Sequence, residues 1–454
     1  MQYRVRKQSE LKPSGVEWLG DIPNTWSFSR LSYNIKLLNG YAFSSTIHHG
    51  DGINIIKMSN LKDGNIIFKD NNQKFNITDK LSKFLLKEND ILIGLSGSIE
   101  NFAVVKNNHL PAYLNQRVCS LRATNNILNQ FICYIILSKY FKEQIQVNIT
   151  GSTIVNLSTE SLERVKVLVP NISKQEKIIF FLNKKTQIFD DSISKKEELI
   201  TKLEKAKQSL ISEVVTGKLK VIEKNEKLQT IKREKEELKP SKVEWLGYIP
   251  KDWQVKKLGY VFKFKNGVNA DSSSYGKGLK FINVKETINT DFILEKDIEG
   301  SVNVPESIIK ENLLQKGDVL FNRTSETAEE IALSTVYYDD AKALFGGFVI
   351  RGRQITNDLD LDFKRYCFQS YEIRKQIISF ASGSIRKNIA QTNLKDVYLT
   401  FPNIDEQKQI SKYLDEKIKT FDNTIEKTKQ SITKLKQAKE SLISEAVTGK
   451  IEIL

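Results

Sequence analysis

At 454 residues, the chain is long enough for two domains of ordinary size with connections between them. Its hydrophobic content of 40% supports packed cores and excludes a disordered polymer. The formal net charge of +15 favours an acidic partner, with nucleic acid first and an anionic membrane surface second. Because the chain is also rich in Lys, Asn and Ile, a bias that genome composition can produce, charge alone does not decide for DNA.

The cysteines and the apolar runs indicate the compartment. Cys119, Cys133 and Cys367 form no C-x-x-C pair and occupy no equivalent places in the two halves, which is typical of reduced thiols. The first residues lack the apolar run of a secretory signal. The longest apolar stretches, 131–137 and 178–182, are too short to span a bilayer. We therefore expect a soluble, cytoplasmic protein that does not associate with membranes.

In chain order, the first recognisable element is an opening segment that occurs twice. Residues 11–23 read Leu-Lys-Pro-Ser-Gly-Val-Glu-Trp-Leu-Gly-Asp-Ile-Pro. Residues 238–250 repeat them with changes only at the first Gly, which becomes Lys242, and at the Asp, which becomes Tyr248. A second repeat, Leu-Ile-Ser-Glu-x-Val-Thr-Gly-Lys, closes the two copies at 210–218 and 442–450. The chain is therefore one unit written twice. Since the tryptophans of the opening segment are unchanged between copies, we expect them to pack against the protein rather than to read a sequence.

Between these repeated ends, each copy predicts a mixed globular region. Copy one has β-branched runs that predict strands at 53–57, 65–69, 90–95, 102–105 and 117–121, a helix over 128–146 and a strand at 165–169. Copy two predicts strands at 279–284, 318–322, 331–338 and 347–351, a helix over 362–380 and a strand at 397–401. The two regions share a plan, an α+β domain of roughly 130–150 residues.

A long helix is predicted after each globular region. From about 174 to about 216, and again 232 residues later, apolar residues recur with the 4-3 spacing of a coiled coil. Such a helix is roughly 60 Å long at 1.5 Å per residue. The apolar positions assigned to the seam are Leu182, Phe189, Ile193, Ile200, Leu203, Leu210, Leu414, Phe421, Ile425, Ile432, Leu435 and Leu442.

The narrow seam favours a helix pair over two helices that each lie on their own domain, because the latter need a broader apolar stripe. The first helix leads the chain towards the second domain and the second helix returns. We therefore predict an antiparallel coiled coil between two globular domains related by a pseudo-twofold axis. The expected boundaries are an opening segment at 1–26, domain one at 27–164, a strand and long helix at 165–222, a charged linker with the repeated opening segment at 223–253, domain two at 254–396, and a strand and long helix at 397–454.

A search for catalytic or metal-binding residues finds no candidate. The three histidines, His48, His49 and His109, lie in copy one without a cluster of further ligands. No phosphate loop, dinucleotide fingerprint or serine elbow occurs; Gly94-Leu-Ser-Gly-Ser98 misplaces its second glycine by one residue. We therefore predict neither a catalytic residue nor a metal site in this chain.

Residues suited to DNA contact are better represented. A Gly-Ser turn followed by Asn precedes the last strand of each copy, as is consistent with a backbone turn beside a phosphate or with an ordinary turn. Arginines and lysines offer contacts to phosphates or bases, although each could equally be a solvated surface charge. The candidate DNA-binding residues are Lys57, Lys62, Arg117, Arg122, Gly151, Ser152, Asn156, Arg323, Thr324, Arg351, Arg353, Gly383, Ser384, Arg386 and Lys387.

Together these pieces resemble one known family, the specificity subunits of type I restriction–modification systems. The resemblance covers essentially the whole chain and rests on four motifs: the doubled opening segment, Gly-Asp-Val-Leu-Phe-Asn-Arg at 317–323, the Gln-x-x-Ile starts of both long helices at Gln175 and Gln407, and the repeated closing motif. Copy one departs from the motif at 317–323, since Gly94-Leu-Ser-Gly stands where copy two has Asn-Arg-Thr-Ser.

The resemblance implies two target recognition domains, each reading one half of a bipartite site in double-stranded DNA. It implies that the helix pair fixes the spacer and docks two copies of a methyltransferase (modification) subunit. Those subunits would carry S-adenosylmethionine, and restriction subunits using ATP and Mg²⁺ could join them, while this chain itself carries no cofactor. The alternative is a stand-alone DNA-binding regulator with two recognition domains, whose helices serve self-association.

Overall fold

The computed structural model describes residues 2–16, 19–44, 52–62, 64–69, 71–96, 101–147, 157–243, 246–384 and 386–454. The chain divides into two compact units, unit 1 with Met1–Glu197 and Lys429–Leu454, and unit 2 with Glu198–Thr428. Each unit holds one α+β domain, called domain 1 and domain 2 below. The fold class expected from the sequence, two α+β domains each followed by a long helix, is confirmed.

Copy one contains the strands β1 (Tyr3–Val5), β2 (Leu11–Pro13), β3 (Asp21–Pro23), β4 (Phe28–Arg30), β5 (Ile35–Asn39), β6 (Ile53–Ile56), β7 (Leu61–Lys62), β8 (Asn65–Ile66), β9 (Lys74–Phe75), β10 (Ile91–Gly94), β11 (Phe102–Val104), β12 (Ala112–Leu114), β13 (Val118–Ala123) and β14 (Lys166–Leu168). Its helices include α1 (Asn129–Leu137), α2 (Lys139–Val147), α3 (Thr159–Arg164) and the long α4 (Ile172–Val215).

Copy two contains the strands β15 (Leu219–Lys224), β16 (Lys227–Lys232), β17 (Leu238–Pro240), β18 (Tyr248–Pro250), β19 (Gln254–Lys257), β20 (Phe262–Asn266), β21 (Tyr275–Ile282), β22 (Phe292–Ile293), β23 (Ser301–Val302), β24 (Val319–Asn322), β25 (Thr324–Ser325), β26 (Ser334–Tyr337), β27 (Ala343–Phe345), β28 (Val349–Gln354), β29 (Lys387–Asn388), β30 (Tyr398–Phe401) and β31 (Ile451–Ile453). Its helices include α5 (Leu258–Val261), α6 (Val284–Asn289), α7 (Glu306–Asn312), α8 (Lys364–Cys367), α9 (Tyr371–Ser379), α10 (Gln391–Asp396) and the long α11 (Ile404–Val447).

The sheets of the two domains follow one plan. Domain 1 has a sheet in the order β11-β10-β13-β5 beside β12-β6-β9, and domain 2 has β20-β28-β24-β26-β22 beside β23-β21-β27. The central strands β10 and β24 are fully buried and, apart from the terminal Asn322, contain no polar side chain, as expected of strands covered on both faces. In each second sheet one parallel pair, β12 with β6 and β27 with β21, occupies the equivalent place.

Each predicted domain helix is broken at a serine. The stretch 128–146 is divided into α1 and α2 at Ser138, which adopts an extended backbone, and Ser370 precedes α9 in the same way. The backbone N–H after each serine donates to a serine on a long helix, Lys139 to Ser444 Oγ at 2.8 Å and Tyr371 to Ser212 Oγ at 2.9 Å. Helical periodicity did not show this break, because an external partner replaces the lost intrahelical hydrogen bond.

A buried glutamine fixes the start of each long helix. In α11, Gln407 is fully buried; its Nε2 donates to the carbonyls of Asp358 (2.7 Å) and Pro402 (2.9 Å). Its Oε1 accepts from the backbone N–H of Asp360 at 2.8 Å. Gln175 of α4 makes the same three hydrogen bonds to the equivalent backbone groups of domain 1. The Gln-x-x-Ile motif is therefore a device that joins helix to domain.

The long helices are buried along the predicted seam. Every seam position assigned above is buried or half-buried, whereas neighbouring apolar residues outside it, such as Ile188 and Leu199, are exposed at 54% and 43%. In unit 1 the first turns of α4 share an apolar cluster with the last turns of α11. In unit 2 the last turns of α4 share one with the first turns of α11.

Ion pairs across these helices give their direction. In unit 1, Asp190 of α4 pairs with Lys439 of α11 at 2.6 Å. Asp190 follows the cluster residues of α4 in the chain, whereas Lys439 precedes those of α11. In unit 2, Lys207 pairs with Asp422 at 2.7 Å. Here the α4 residue precedes the shared cluster in the chain and the α11 residue follows it. The segments therefore run antiparallel within each unit. The two pairs occupy equivalent positions at the 232-residue offset, so both are part of the repeated frame.

The opening segments pack on the ends of the long helices. Gly449 follows α11 with φ of 72°, and a Cβ there would lie 2.5 Å from Cγ of Pro23 and 3.0 Å from the Trp26 ring. Gly217 follows α4 with φ of 77° and meets Pro250 and Trp253 in the same way. Trp26 and Trp253, which follow the repeated motif, thus have the packing role predicted for the tryptophans of the opening segment. Trp18 and Trp245 lie outside the described residues. Each unit therefore combines one copy's opening segment with the helix end of the other copy.

The linker predicted as a charged connection contains a hairpin. Strands β15 and β16 pair antiparallel through a turn whose central residues, Asn225 and Glu226, have φ of 51° and 59°. Positive φ at both central residues is the geometry of a tight hairpin turn. In unit 1 the equivalent pairing joins β1 to β31. The charged composition concealed these strands, because β16 is largely exposed and both strands carry lysines.

Candidate functional site

A carboxylate–guanidinium pair recurs at the same place in both domains. Nε and Nη2 of Arg122 donate to Asp90 at 2.7 and 2.9 Å, and those of Arg353 donate to Asp318 at 2.9 and 2.6 Å. Both carboxylates are 2% exposed, and each guanidinium also donates to a backbone carbonyl of the preceding loop. Arg122 and Arg353, predicted as DNA contacts, therefore have a structural role, in which Nε and Nη2 of each bond to a buried aspartate and a backbone carbonyl.

Arg351 is likewise structural. Its side chain is 6% exposed, lies over the ring of Phe345 at 5.5 Å and donates to the carbonyl of Leu313 at 3.2 Å. Burial, and then the neighbouring charge of Arg353, lowers its pKa. Arg351, predicted as a DNA contact, is therefore packed inside domain 2 in this structure.

One end of each domain gathers four segments around a short turn. The turn is 115–117 in domain 1 and 346–348 in domain 2, and we call both the tip turn. In domain 1 its backbone bonds to Tyr41, Ile56 and Leu95; in domain 2 the equivalent bonds join it to 268, 282 and 323, all at 2.8–3.1 Å. Leu95 and residue 323 in turn accept from the segment after the Gly-Ser turn, at 157 and 389. The backbone of this end is therefore the same in both domains.

Arg323 and Thr324 lie at this end of domain 2. The Arg323 side chain is half-buried and its Nη1 donates to the carbonyl of Gly347 in the tip turn at 3.3 Å. Thr324 Oγ1 donates to Oδ1 of Asn388 at 2.7 Å, which joins this loop to the strand after the Gly-Ser turn. The predicted contacts at Arg323 and Thr324 thus lie together with those of the Gly-Ser loop.

The Gly-Ser loop of domain 2 is described except for residue 385. Gly383 has φ of 115°, and a Cβ there would lie 2.1 Å from the carbonyl oxygen of Arg386. Ser384 and Arg386 are exposed, and Nζ of the half-buried Lys387 donates to the carbonyl of Gly383 at 2.8 Å. A cleft of about 270 Å³ is lined by residues that include Arg386 of this loop, Phe348 of the tip turn, Thr324, Glu326 and Glu330.

Arg374 supports the loop that follows Thr324. Its guanidinium donates to the carbonyls of Ala332 (2.9 Å), Ile331 (2.6 Å) and Glu329 (2.8 Å). Burial lowers the pKa of this arginine to about 10. The sequence offered no sign of this role, because the three accepting carbonyls carry no side-chain signature and lie more than forty residues away.

In domain 1, Lys57 and Arg117 lie at the corresponding end. Arg117 is exposed in the tip turn, and Lys57 directly follows Ile56, whose carbonyl accepts from the tip turn at 3.1 Å. Lys62 is exposed on the β7–β8 hairpin, whose Gly64 bonds to β11. The remaining predicted contacts, Gly151, Ser152 and Asn156, lie outside the described residues, as do His48 and His49.

The described residues hold no group of three or more His, Cys, Asp or Glu that could bind a metal ion. His109 is buried and its Nδ1 accepts from the backbone of Lys106 at 3.0 Å. Burial raises the pKa of the Cys119 thiol to about 12. Among the helices described, none is long and apolar enough to cross a membrane.

Comparison with known proteins gives a consistent result. The family model for the type I restriction modification DNA specificity domain matches residues 23–205 and 250–437. The EcoKI type I restriction enzyme specificity subunit of Escherichia coli is 22% identical over 454 residues, covering 95% of this chain and 90% of that protein. The MjaIX specificity subunit of Methanocaldococcus jannaschii is 22% identical over 469 residues, covering 99% and 98%.

A solved structure from a study of complex assembly and conformational transition of the type I R-M system shares the fold. It superimposes with a TM-score of 0.67 at 15% sequence identity, covering 94% of this chain and 99% of that one. Both matches of the family model begin at the last proline of an opening segment and end inside a long helix. The matched segments thus coincide with the two copies of the repeat.

Proposed function

The chain belongs to the family of type I restriction–modification DNA specificity subunits, and we propose that each of its two domains reads one half of a bipartite DNA target. The observation that carries this proposal is the pair of tip turns. The same backbone framework presents different side chains at the same end of both domains. A frame that is repeated while its exposed residues differ is suited to reading two unrelated half-sites.

The proposed contacts to DNA come from both domains. In domain 2, Thr324 and Arg386 line the cleft beside the tip turn, and Arg323 and Lys387 belong to the same two loops. The side chains of these four residues suit phosphate oxygens. In domain 1 we assign the same role to Lys57 and Arg117 at the corresponding end, and to Lys62 on the β7–β8 hairpin. Gly383 and Ser384 offer backbone N–H groups and a hydroxyl in the same loop, and Gly151, Ser152 and Asn156 are the matching positions of domain 1.

Catalysis is assigned to partner subunits. Two methyltransferase subunits, which carry S-adenosylmethionine, dock on the paired helices, because a tandem repeat offers two similar surfaces to two identical partners. Restriction subunits that use ATP and Mg²⁺ join this assembly. Co-expression with the modification subunit encoded in the same system tests this point, with a stable complex of two modification subunits per chain as the expected result. A chain that binds its DNA target alone and captures no modification subunit would instead be a regulator.

The experiment that tests the half-site assignment is a domain exchange. Residues 27–164 are replaced by the corresponding domain of a relative whose target is known, with the opening segment, Gln175 and both long helices left intact. Methylome sequencing should show one half-site changed and the other retained. The matched exchange of residues 254–396 should change the other half-site only. If both half-sites changed in either chimera, or neither did, the modular assignment would be refuted.

The helices are proposed to set the spacer between the half-sites. Each long helix has 44 residues, which is roughly 66 Å at 1.5 Å per residue. One heptad inserted into both helices keeps the seam in register and adds about 10 Å, or roughly three base pairs at 3.4 Å each. The expected methylome keeps both half-sites and lengthens the unread spacer. Altered half-sites would contradict the ruler.

A further inference from the structure

The tip turns present one outward side chain at the same position in each domain. Arg117 of domain 1 follows Gln116, whose backbone N–H donates to the carbonyl of Tyr41. Phe348 of domain 2 follows Gly347, whose N–H donates to the carbonyl of Val268. The carbonyl of Arg117 accepts from the N–H of Leu95 at 2.9 Å, and the carbonyl of Phe348 accepts from the N–H of Arg323 at 2.8 Å. Both side chains are exposed, Phe348 at 61%.

The backbone at this position is held rigidly in both domains. A Cβ on Gly40 or on Gly267 would lie 2.1–2.2 Å from the first carbonyl oxygen of the tip turn, so the neighbouring segment approaches as closely as glycine permits. Gly347 is equally constrained, since a Cβ there would lie 1.9 Å from Oδ1 of Asn269. Such a turn sets the direction of the Cα–Cβ bond from which the side chain extends.

The two side chains have opposite chemistry. Within the described residues, the Arg117 guanidinium has no hydrogen-bond or ion-pair partner, so its donors are available. Phe348 is an exposed aromatic side chain without a polar atom, and it borders the cleft that Arg386 and Thr324 line. An exposed phenylalanine is common on surfaces. Here, however, it replaces an arginine on a duplicated backbone, beside groups suited to phosphate contact.

Resting on the proposed function, we infer that this position reads one base pair in each half-site. Arg117 donates two hydrogen bonds to O6 and N7 of a guanine in one half-site, and Phe348 makes apolar contact with the 5-methyl group of a thymine in the other. Both contacts belong to the major groove, where the bases present these groups. The inference explains why the copies differ here while the bonds that hold the turn are the same.

Base analogues that remove a single group test each contact. The full chain in complex with its modification subunits is bound to duplexes carrying its own target, identified by methylome sequencing. Each thymine of the half-site read by domain 2 is replaced in turn by deoxyuridine. Loss of one methyl contact, at about 0.8 kcal/mol per buried carbon, should weaken binding about fourfold at one position. Phe348→Ala should bind that duplex and the parent duplex equally.

The guanines of the other half-site are replaced by 7-deazaguanine, which lacks the N7 acceptor. The wild-type complex should lose affinity at one position, by less than the roughly 5- to 150-fold that a whole bidentate pair is worth, and the affinity of Arg117→Ala should not change. Tyr260→Ala is the matched control, because Tyr260 is 72% exposed and lies at the far end of β20 from the tip turn. This variant should respond to both analogues as the wild type does.

Each arm decides its own residue. The Phe348 contact is refuted if no thymine in that half-site responds differently in wild type and variant, or if the half-site contains no thymine. The Arg117 contact is refuted by the corresponding result with guanine. Phe348→Leu, which keeps an apolar side chain, guards against a folding defect and should retain part of the methyl response. A wild-type complex that binds all sequences equally would instead overturn the proposed function.

Discussion

Replacing Gln407 by alanine is expected to loosen the junction between domain 2 and α11. The side chain is fully buried and satisfies three backbone groups, two carbonyls and one N–H. Alanine leaves all three without a partner. Because Asp358 and Asp360 are only half-buried, water can reach part of the gap, and the lower end of the range for an unsatisfied buried group applies. At about 1 kcal/mol for each group, the loss is about 3 kcal/mol.

Hydrogen exchange measures this loss where it occurs. A destabilisation of about 3 kcal/mol raises the local opening equilibrium by a factor on the order of 10². Peptides that include Asp360 and the first turn of α11 should therefore exchange faster by that factor. Peptides covering the equivalent junction at Gln175 report whether the effect is local, and they should be unchanged.

The matched control is Gln437→Ala. Gln437 lies on the same helix but is exposed, and alanine is an equally good or better helix former, so the change should stay within about 0.5 kcal/mol. If Gln407→Ala exchanged like this control, the three hydrogen bonds would not hold the helix to the domain. Rapid exchange throughout unit 2 would show instead that the junction is part of one cooperative core.

Three further outcomes are expected. Asp318→Ala leaves its arginine partner unpaired and should cost about 3 kcal/mol of unfolding free energy, against less than about 0.5 kcal/mol for the exposed Asp340→Ala. Gly449→Ala should lower the stability of unit 1 by about 3 kcal/mol, because its Cβ meets Pro23, whereas Gly20→Ala has the same positive φ in open space and should cost about 1 kcal/mol. The logarithm of the DNA-binding constant should fall linearly with the logarithm of salt concentration, by about 0.9 per phosphate contacted, and a flat response would contradict phosphate binding.

The sequence predicted the parts of the fold whose signal is local or periodic. The long helices, their seam and the buried strands β10 and β24 follow from apolar spacing alone. The break at Ser138 was missed because its compensating partner, Ser444, lies in the other copy. For the same reason the composition of the units could not be predicted. Nothing in either copy says whose helix end covers whose opening segment.

At the candidate site, charge was taken as the signal for DNA contact, and two of the arginines chosen in this way have buried carboxylate partners. Arg122 and Arg353 have their carboxylate partners 32 and 35 residues earlier in the chain, which no local pattern shows. The repeat did contain the signal, since the Asp and the Arg of each pair occur at matching positions in both copies. Phe348, which we propose as a base contact, was not among the sequence candidates because a search for cations passes over an exposed aromatic residue.

The internal repeat supplies a criterion that separates frame from reader within a single chain. A side chain that recurs with the same partner in both copies, such as Gln175 with Gln407, holds the structure and is not free to follow a changing DNA sequence. A position whose backbone contacts recur while its side chain differs is free to do so. Arg117 and Phe348 satisfy the second condition on a backbone fixed by the same hydrogen bonds. Under the proposed function, a new target therefore arises by substitution on this turn while the repeated frame stays unchanged.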